Sequence, residues 1–277
     1  MSSSKPVLGL VGSPNKSGRT YQLVSAALDG AAKAGAKVEL VQMSDHVVAA
    51  CRDCLPWVCL TNRKCTYEDE GFELLSQKIL NCGGLVLGTP VYWGDTSGMV
   101  KYLILKMFRI YARSGLLHGL PAFGIAVAGG SGNGLISGLR QAYHFFHINR
   151  MRAIAPLPVT RFDFAQAEKR AAASGRQIAE MVETCKPFAT RDECVVWYDH
   201  LPYLAENRAG ERRLLAALAC AGVAAERRAN IDGDLRRANI DGDLGHADIL
   251  AAAGRELEAA VEATRVYESS VKIFDEK

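Results

Sequence analysis

The sequence predicts an α/β fold, in which a doubly wound, five-stranded parallel sheet carries helices on both faces and a helical C-terminal extension follows. Two observations predict it. Between residues 6 and 160, short apolar runs rich in β-branched residues alternate with segments of helical period, which is the order that builds parallel sheets. After residue 187 the chain holds Ala-, Arg- and Glu-rich helical segments and no further series of strands. We therefore expect one domain over residues 1–187 and a helical extension over residues 188–277.

The predicted strands and helices follow one another in alternation. The first strand, Val7–Val11, is an unbroken apolar run, as expected of a strand buried on both faces of a parallel sheet. The helix after it carries Leu23, Ala27 and Ala31 at helical spacing on one face. The other predicted strands are residues 37–43, 84–88, 122–128 and 152–159, and the predicted helices are residues 20–34, 70–80, 97–113, 134–147 and 165–185.

Length and composition favour a globular protein with a packed core. Of the 277 residues, 49% are hydrophobic and 23% are charged, which excludes wholesale disorder. The net charge of +3 is too small to indicate a polyanionic partner, so we expect no nucleic-acid binding. No apolar stretch reaches the roughly 18 residues of a membrane-spanning helix, and the first residues lack the regions of a secretory signal. We expect a cytoplasmic protein without a membrane partner.

Four of the eight cysteines fall between residues 51 and 65. In a reducing cytosol such a cluster is more typical of a metal or iron–sulfur site than of disulfides. Four thiolates in one short loop can ligate a [4Fe–4S] cluster or a structural Zn²⁺ ion. The predicted ligands are Cys51, Cys54, Cys59 and Cys65.

The loop between the first strand and the first helix, Gly12–Thr20, predicts a phosphate site, because backbone N–H groups and the helix dipole favour an anion there. It is not a P-loop, since its glycines are one residue too far apart and Arg19 stands in place of the lysine, and it is not a dinucleotide fingerprint. Its hydroxyl-rich sequence suits a terminal monophosphate, and an ordinary capped turn is the alternative. The residues predicted to bind the phosphate are Ser13, Asn15, Ser17, Gly18, Arg19 and Thr20.

Two further loops follow predicted strands at the same edge of the sheet. Thr89–Gly98 follows the third strand, contains the aromatic pair Tyr92 and Trp93, and is succeeded by Lys101 on the next helix. Gly129–Gly134 follows the fourth strand and contains four glycines. Because open α/β sheets bind ligands at the carboxyl ends of their strands, we expect the three loops to form one site.

With these loops the sequence resembles the NAD(P)H-dependent FMN reductase branch of the flavodoxin-like flavoproteins. That family's first loop reads close to G-S-P-x-x-x-G-x-T, and a P-x-Y-W/F turn follows its third strand, with Ser-Gly and a lysine after it. The resemblance covers about the first 160 residues and implies a flavodoxin-like fold with bound FMN. It implies that the flavin ring is contacted by Pro90, Val91, Tyr92, Trp93, Gly94, Gly129 and Gly130.

The cysteine loop resembles a subgroup of the same family, the iron–sulfur flavoproteins, which carry a compact four-cysteine motif at this position. The resemblance implies a [4Fe–4S] cluster. Here four residues separate Cys54 from Cys59, where the subgroup usually has two. Structural Zn²⁺ remains the alternative for these thiols.

Together these features predict an enzyme, an FMN-dependent NAD(P)H oxidoreductase. In that interpretation the flavin takes a hydride from NADH or NADPH and passes single electrons to the cluster, and no side chain need act as a general acid or base. The resemblance implies a homodimer or homotetramer, and the reaction requires an unidentified electron donor or acceptor. The alternatives are a non-catalytic electron-carrier flavoprotein and a flavodoxin-like protein with a structural zinc site.

A nine-residue segment of the extension is duplicated. Arg227–Leu235 is repeated without change at Arg236–Leu244. Two copies are too few for a solenoid, and the Asp-Gly-Asp pairs do not form a calcium-binding loop pattern. We interpret the repeat as a tandem duplication in a surface loop or helix edge.

Overall fold

A computed structural model describes residues 5–227 and 234–275. The chain divides into two compact units. The first unit comprises the residues up to Val127 together with Gly134–Pro158 and Ala167–Leu204. The second comprises Ala128–Asn133, Val159–Gln166 and the chain from Ala205 onward.

A mostly parallel sheet forms the centre of the first unit. The strands are β1 (Val7–Val11), β2 (Val38–Gln42), β3 (Gly84–Tyr92), β4 (Asp95–Thr96), β5 (Pro121–Val127), β6 (Arg152–Ala153) and β7 (Leu157–Val159). β1 pairs in parallel with both β2 and β3, so that Val7 lies opposite Val38 on one side and Gly84 on the other. Among the described residues the parallel strands take the order β2-β1-β3-β5-β6, which is the flavodoxin-like doubly wound order. The predicted α/β class is confirmed.

Helices connect the strands and continue after them. Each helix that was predicted between two strands has bounds within two residues of the prediction. A short helix in the cysteine loop was not predicted. The helices are α1 (Arg19–Lys33), α2 (Val58–Asn62), α3 (Glu70–Asn81), α4 (Gly98–Tyr111), α5 (Leu135–Ile148), α6 (Phe164–Thr184), α7 (Arg191–Asp199), α8 (Arg208–Arg227), α9 (Asp234–Ala252) and α10 (Glu256–Asp275).

Two strands differ from the prediction. β3 continues past Gly88 to Tyr92, because Thr89 and Pro90 pair in parallel with β5 and the last two residues pair with β4 in an antiparallel hairpin. The single strand predicted over residues 152–159 is divided into β6 and β7. Pro156 lies in the gap, and a proline has no N–H to donate to a neighbouring strand.

The core of the first unit is built on the two faces of this sheet. Leu8 and Leu10 of β1 are completely buried, as are the apolar residues of α1 that face the sheet. α1 packs so closely on α6 that a Cβ on Gly175 would overlap the backbone of Ala27. α4 packs against α3 and α5. α7 also belongs to this unit, where Tyr198 donates a hydrogen bond of 2.8 Å to the carbonyl of Met151.

The second unit is helical. α10 packs against α8 and α9, and Ala216, Ala247 and Ala263 are completely buried between them. Arg161 forms a two-pronged ion pair with Asp275, with N–O distances of 2.8 and 2.7 Å. In the first copy of the duplicated nonapeptide, residues 228–233 lie outside the described residues, whereas the second copy lies in α9. No helix of the described chain combines the length and the apolar character needed to cross a bilayer.

Candidate functional site

The phosphate loop, Gly12–Thr20, runs from β1 into α1. Ser13 and Thr20 are buried at its two ends, whereas Asn15, Ser17 and Arg19 are exposed. The Oδ1 atom of Asn15 accepts hydrogen bonds from the backbone N–H of Ser17 at 3.1 Å and from its hydroxyl at 3.3 Å. The loop is therefore ordered by its own polar side chains.

The first backbone N–H groups of α1 have no acceptor within the helix. Gly18 is the N-cap, with extended backbone and no side-chain hydrogen bond, and the first backbone bond into the helix runs from Gln22 N to Gly18 O at 3.0 Å. The N–H groups of residues 19–21 thus precede the intrahelical ladder. This turn is fully described and contains no acidic side chain that would repel a phosphate. These features fit a bound phosphate group.

The turn after β3 presents two aromatic rings to solvent. Trp93 and Gly94 connect the paired residues Tyr92 and Asp95 as a two-residue turn. Their φ angles of 51° and 71° are those of a type I′ hairpin. Tyr92 is half exposed and Trp93 fully exposed. A bulky residue held at positive φ with its ring entirely in water is unusual, and such residues concentrate at functional sites.

Buried hydrogen bonds join this hairpin to the phosphate loop. The hydroxyl of Ser97 donates to the carbonyl of Gly12 at 2.6 Å, and Gly12 N donates to the carbonyl of Gly88 at 2.8 Å. The Thr89 hydroxyl accepts from Ser97 N at 3.0 Å and lies 2.6 Å from the hydroxyl of Thr96. The sequence reasoning assigned no role to these hydroxyls. The signal was present, because three hydroxyl residues flank the aromatic turn.

The loop after β5 reaches the hairpin through Gly134. A Cβ on this residue would overlap Gly94 and lie 2.8 Å from its carbonyl carbon, and its φ of 88° is one that L side chains rarely adopt. Gly129 and Gly130 follow the end of β5 in the chain and belong to the second unit, and a Cβ on either would meet nothing within 4 Å. Their contact with a flavin stays a prediction.

The four clustered cysteines line one cavity of about 50 Å³. Cys59 is buried, and the other three are partly buried. Burial raises the pKa of the Cys59 thiol, and the neighbouring thiols of Cys54 and Cys51 raise it further. Across the described residues, no three Cys, His, Asp or Glu side chains stand in an arrangement that could hold a metal ion. The structure brings the predicted ligands to one cavity without bringing them to ligating positions.

Two cations of α4, Lys106 and Arg109, also line this cavity. Lys106 forms a buried ion pair with Asp69. Arg109 lies 2.8 Å from a carboxylate oxygen of Asp53 and stacks 4.4 Å above the ring of Trp57, and its buried Nε has no hydrogen-bond partner among the described residues. Lys106 was missed by the sequence reasoning, although a lysine in an apolar stripe at helical spacing is a recognisable signal.

α4 joins the two groups of residues. It begins at Gly98, with Ser97 of the hairpin as its N-cap, and Ile110 near its end lines the cysteine cavity. At a rise of about 1.5 Å per residue, these two ends are roughly 18 Å apart. One helix therefore holds the hairpin and the cysteine loop at a fixed separation.

Comparisons with known proteins agree with this arrangement. The profile of the family described as NADPH-dependent FMN reductase matches residues 6–160. An iron-sulfur flavoprotein of Methanocaldococcus jannaschii is 31% identical over 146 residues, which cover 52% of this chain and 73% of that protein. An iron-sulfur flavoprotein of Archaeoglobus fulgidus is 25% identical over 205 residues, which cover 72% of this chain and 90% of that protein.

Solved structures show the same fold. A flavone reductase superposes with a TM-score of 0.51 at 19% identity, over 65% of this chain and 63% of that one. The chain thus spans slightly less than two thirds of the flavone reductase, and the likeness concerns the fold alone. The family profile covers more than half of the chain, including the phosphate loop, the hairpin and the cysteine loop. The chain belongs to the NADPH-dependent FMN reductase family.

Proposed function

We propose that this protein, whose family consists of flavin-dependent oxidoreductases, is an FMN-dependent NAD(P)H oxidoreductase of the iron–sulfur flavoprotein type. It would pass electrons between flavin and a [4Fe–4S] cluster. The observation that carries the proposal is the association of two groups of residues with α4. The helix starts beside the hairpin and the phosphate loop, and its last turns form part of the wall of a cavity that four thiols also line. Two proteins similar to this chain are themselves iron-sulfur flavoproteins.

The phosphate of FMN is assigned to the loop after β1. The backbone N–H groups that open α1 would donate to its oxygens, and the Ser13 hydroxyl would be a further donor. The Ser17 hydroxyl, which donates to Asn15 Oδ1, would turn from that atom to the phosphate. Arg19 supplies positive charge at the exposed side of the loop. The nearby acid Asp45 is compensated by Lys16, at 2.6 Å, so its charge opposes the phosphate little.

The flavin ring is assigned to the turn Pro90–Gly94 together with Gly129 and Gly130. The turn offers backbone groups to the polar edge of the ring, and Tyr92 and Trp93 offer aromatic faces that otherwise stand in water. Bound FMN supplies a ring that accepts a hydride from a nicotinamide and releases electrons one at a time. The chain's own part is to orient that ring and cover one of its faces.

The cluster is assigned to Cys51, Cys54, Cys59 and Cys65. Four thiols around one cavity are the donor set of a [4Fe–4S] cluster, and ligation would draw them inward from their present positions. Four thiolates carry negative charge. The cavity wall holds three cations, Arg52, Lys106 and Arg109, against one carboxylate, Glu68, so its net charge opposes that of the thiolates. The same donors fit structural Zn²⁺, which the experiment below distinguishes.

We further propose that the protein is a homodimer or homotetramer and that it exchanges electrons with a separate donor or acceptor. Sedimentation equilibrium of the purified protein tests the assembly directly. A monomer at micromolar concentration would contradict it.

Metal analysis and spectroscopy of anaerobically purified protein test the function. We expect iron and acid-labile sulfide, flavin absorption bands with a broad shoulder, and bleaching of the flavin by NADPH or NADH. Zinc without iron would establish the structural zinc alternative instead. If neither NADPH nor NADH bleaches the flavin, the protein would instead be a non-catalytic electron-carrier flavoprotein.

A pair of variants ties the metal to the loop. Cys65→Ser is expected to lower the bound iron, because it removes one of four ligands. Cys185→Ser is the control, since this cysteine lies outside the loop and is also free in the structure. Equal iron content in the two variants would contradict the assignment.

A further inference from the structure

A second cavity of the first unit lies at the opposite edge of the sheet from the phosphate loop and the hairpin. Its volume is about 660 Å³, within the range of small-molecule sites. Its walls come from the segments that precede β5 and β6 and from α7. Because those segments enter strands, the cavity stands at the amino ends of the strands. We call it the basic cavity.

The lining of the basic cavity carries positive charge without a carboxylate. Its polar side chains are three arginines and two histidines: Arg113, His118, His147, Arg150 and Arg191. In the part of the chain that the structure describes, none of the three guanidinium groups forms an ion pair with a carboxylate. Elsewhere in this unit, Arg152 pairs with Glu193 at 2.6 Å and Arg109 with Asp53 at 2.8 Å. Within the lining, the three arginines therefore have no carboxylate partner, and Asp199 and Glu193 of α7 act on His147 and Cys194 from outside it.

The turn that ends α5 fixes the position of Arg150, which lines this cavity. Its φ is 49°, a conformation that is uncommon for residues other than glycine. Its N–H donates to the carbonyl of His147 and its own carbonyl accepts from the N–H of Gly119, both at 2.9 Å. The turn between α5 and β6 is therefore fixed from both sides. With the N–H of Met151 donating to the carbonyl of Phe146 at 2.9 Å, this is the Schellman arrangement of a helix C-terminus.

We propose that the basic cavity binds a phosphate-bearing small molecule of nucleotide size. A guanidinium group offers two parallel donors that match two phosphate oxygens, and three such groups suit more than one phosphate. The remaining lining includes Ala112, Ile148 and Val195, which offer apolar contact to a ring or chain attached to the phosphate. A diphosphate group with an organic substituent meets both requirements.

This site is separate from the flavin site. β5 has seven residues between the two edges of the sheet, which at about 3.3 Å per residue is roughly 20 Å. A nicotinamide cofactor seated in the basic cavity therefore does not reach a flavin bound at the hairpin of the same chain. The inference is independent of the proposed redox chemistry and stands or falls by binding alone.

Isothermal titration calorimetry of the purified protein with pyrophosphate, ADP and adenosine tests the proposal. We expect ADP to bind more tightly than pyrophosphate, adenosine not to bind, and added salt to weaken both phosphate ligands. If pyrophosphate binds more tightly than ADP, the apolar lining does not contact an organic substituent, and the proposed ligand class is wrong. The proposal would also be overturned if neither ADP nor pyrophosphate binds at millimolar concentration, or if adenosine binds as tightly as ADP.

Variants locate the binding. The double variant Arg113→Gln/Arg191→Gln removes two exposed cations and is expected to weaken ADP binding by about tenfold or more. Arg176→Gln, at an exposed position of α6 outside the cavity, is the matched control. Thermal melting and flavin content of both proteins should equal those of the unaltered chain. Equal ADP affinity in the double variant and the control would place binding elsewhere and refute the assignment.

Discussion

The carboxylate of Asp69 and the ammonium of Lys106 form an ion pair withdrawn from water, with side chains 3% and 5% exposed. Asp69 also caps α3 by accepting the N–H of Phe72 at 3.0 Å, and it accepts the N–H of Ala49 at 3.0 Å. One carboxylate therefore fixes the start of the cysteine loop, the start of α3 and the middle of α4. The cysteine loop is therefore anchored to α4, the helix that lines the cysteine cavity.

Lys106→Met is predicted to destabilise the protein strongly. The variant leaves the Asp69 charge buried without its cation, which typically costs about 3–5 kcal/mol. The free energy of unfolding in urea measures the loss. Lys78→Met is the control, because its ion pair with Glu39 is partly exposed and is worth about 1 kcal/mol or less. Equal losses in the two variants would show that burial does not decide the energy of the Asp69 pair.

Gly134→Ala is predicted to displace the hairpin. The added Cβ would overlap Gly94, and alanine disfavours the φ of 88° at this position. We expect FMN to be released more readily, as measured by the free flavin fraction after gel filtration. Gly245→Ala is the control, because a Cβ there meets nothing within 4 Å. If the Gly134→Ala variant retains all of its flavin, the position of the hairpin does not affect flavin binding.

The sequence predicted those parts of the molecule whose structure follows from local pattern. The apolar run Val7–Val11 predicted a buried strand, and the alternation that follows it predicted the parallel sheet. The position of Lys106 in an apolar helix stripe was a local signal of burial, but its partner Asp69 is distant in the chain and could not be read from that signal. The contact of Gly134 with Gly94 likewise arises from the packing of β3 beside β5, which spacing along the chain does not encode.

Trp93→Asn is predicted to weaken FMN binding by about two- to tenfold. Asparagine tolerates the φ of 51°, so the variant removes the ring while keeping the turn. The expected factor corresponds to one aromatic stacking contact of about 0.5–1.5 kcal/mol. Fluorescence titration of the flavin-free protein with FMN measures it. Trp57→Asn, in the cysteine loop, should bind FMN as the unaltered chain does, and an equal loss there would contradict the assignment.

Sulfate binding to the basic cavity is predicted to strengthen as the pH falls. Burial lowers the pKa of His118 and of His147 from 6.5, and Arg150 and His144 respectively lower them further, while Asp199 raises that of His147. Both rings are therefore neutral at neutral pH. A bound anion favours the protonated ring and raises its pKa, so binding takes up protons and tightens below about pH 7.

Sulfate isolates this effect because it does not itself titrate in that range. Burial raises the pKa of the Cys194 thiol, which also lines the cavity, so this thiol does not titrate there. Calorimetry over a pH series measures the sulfate affinity. His118→Asn should flatten the dependence and the exposed His200→Asn should not. A pH-independent affinity in the unaltered protein would contradict the protonation of these rings.

Arg109→Met is predicted to lower the reduction potential of a cluster held by the four cysteines. The guanidinium stands in the wall of their cavity, and reduction adds negative charge that a nearby cation stabilises. Loss of the cation should shift the potential negative by on the order of tens of millivolts. Spectroelectrochemical titration of protein with matched iron content measures the shift. Arg176→Met, on the surface of α6, is the control. An unchanged potential in Arg109→Met would show that its charge is already cancelled by Asp53, which lies 2.8 Å away at the exposed side.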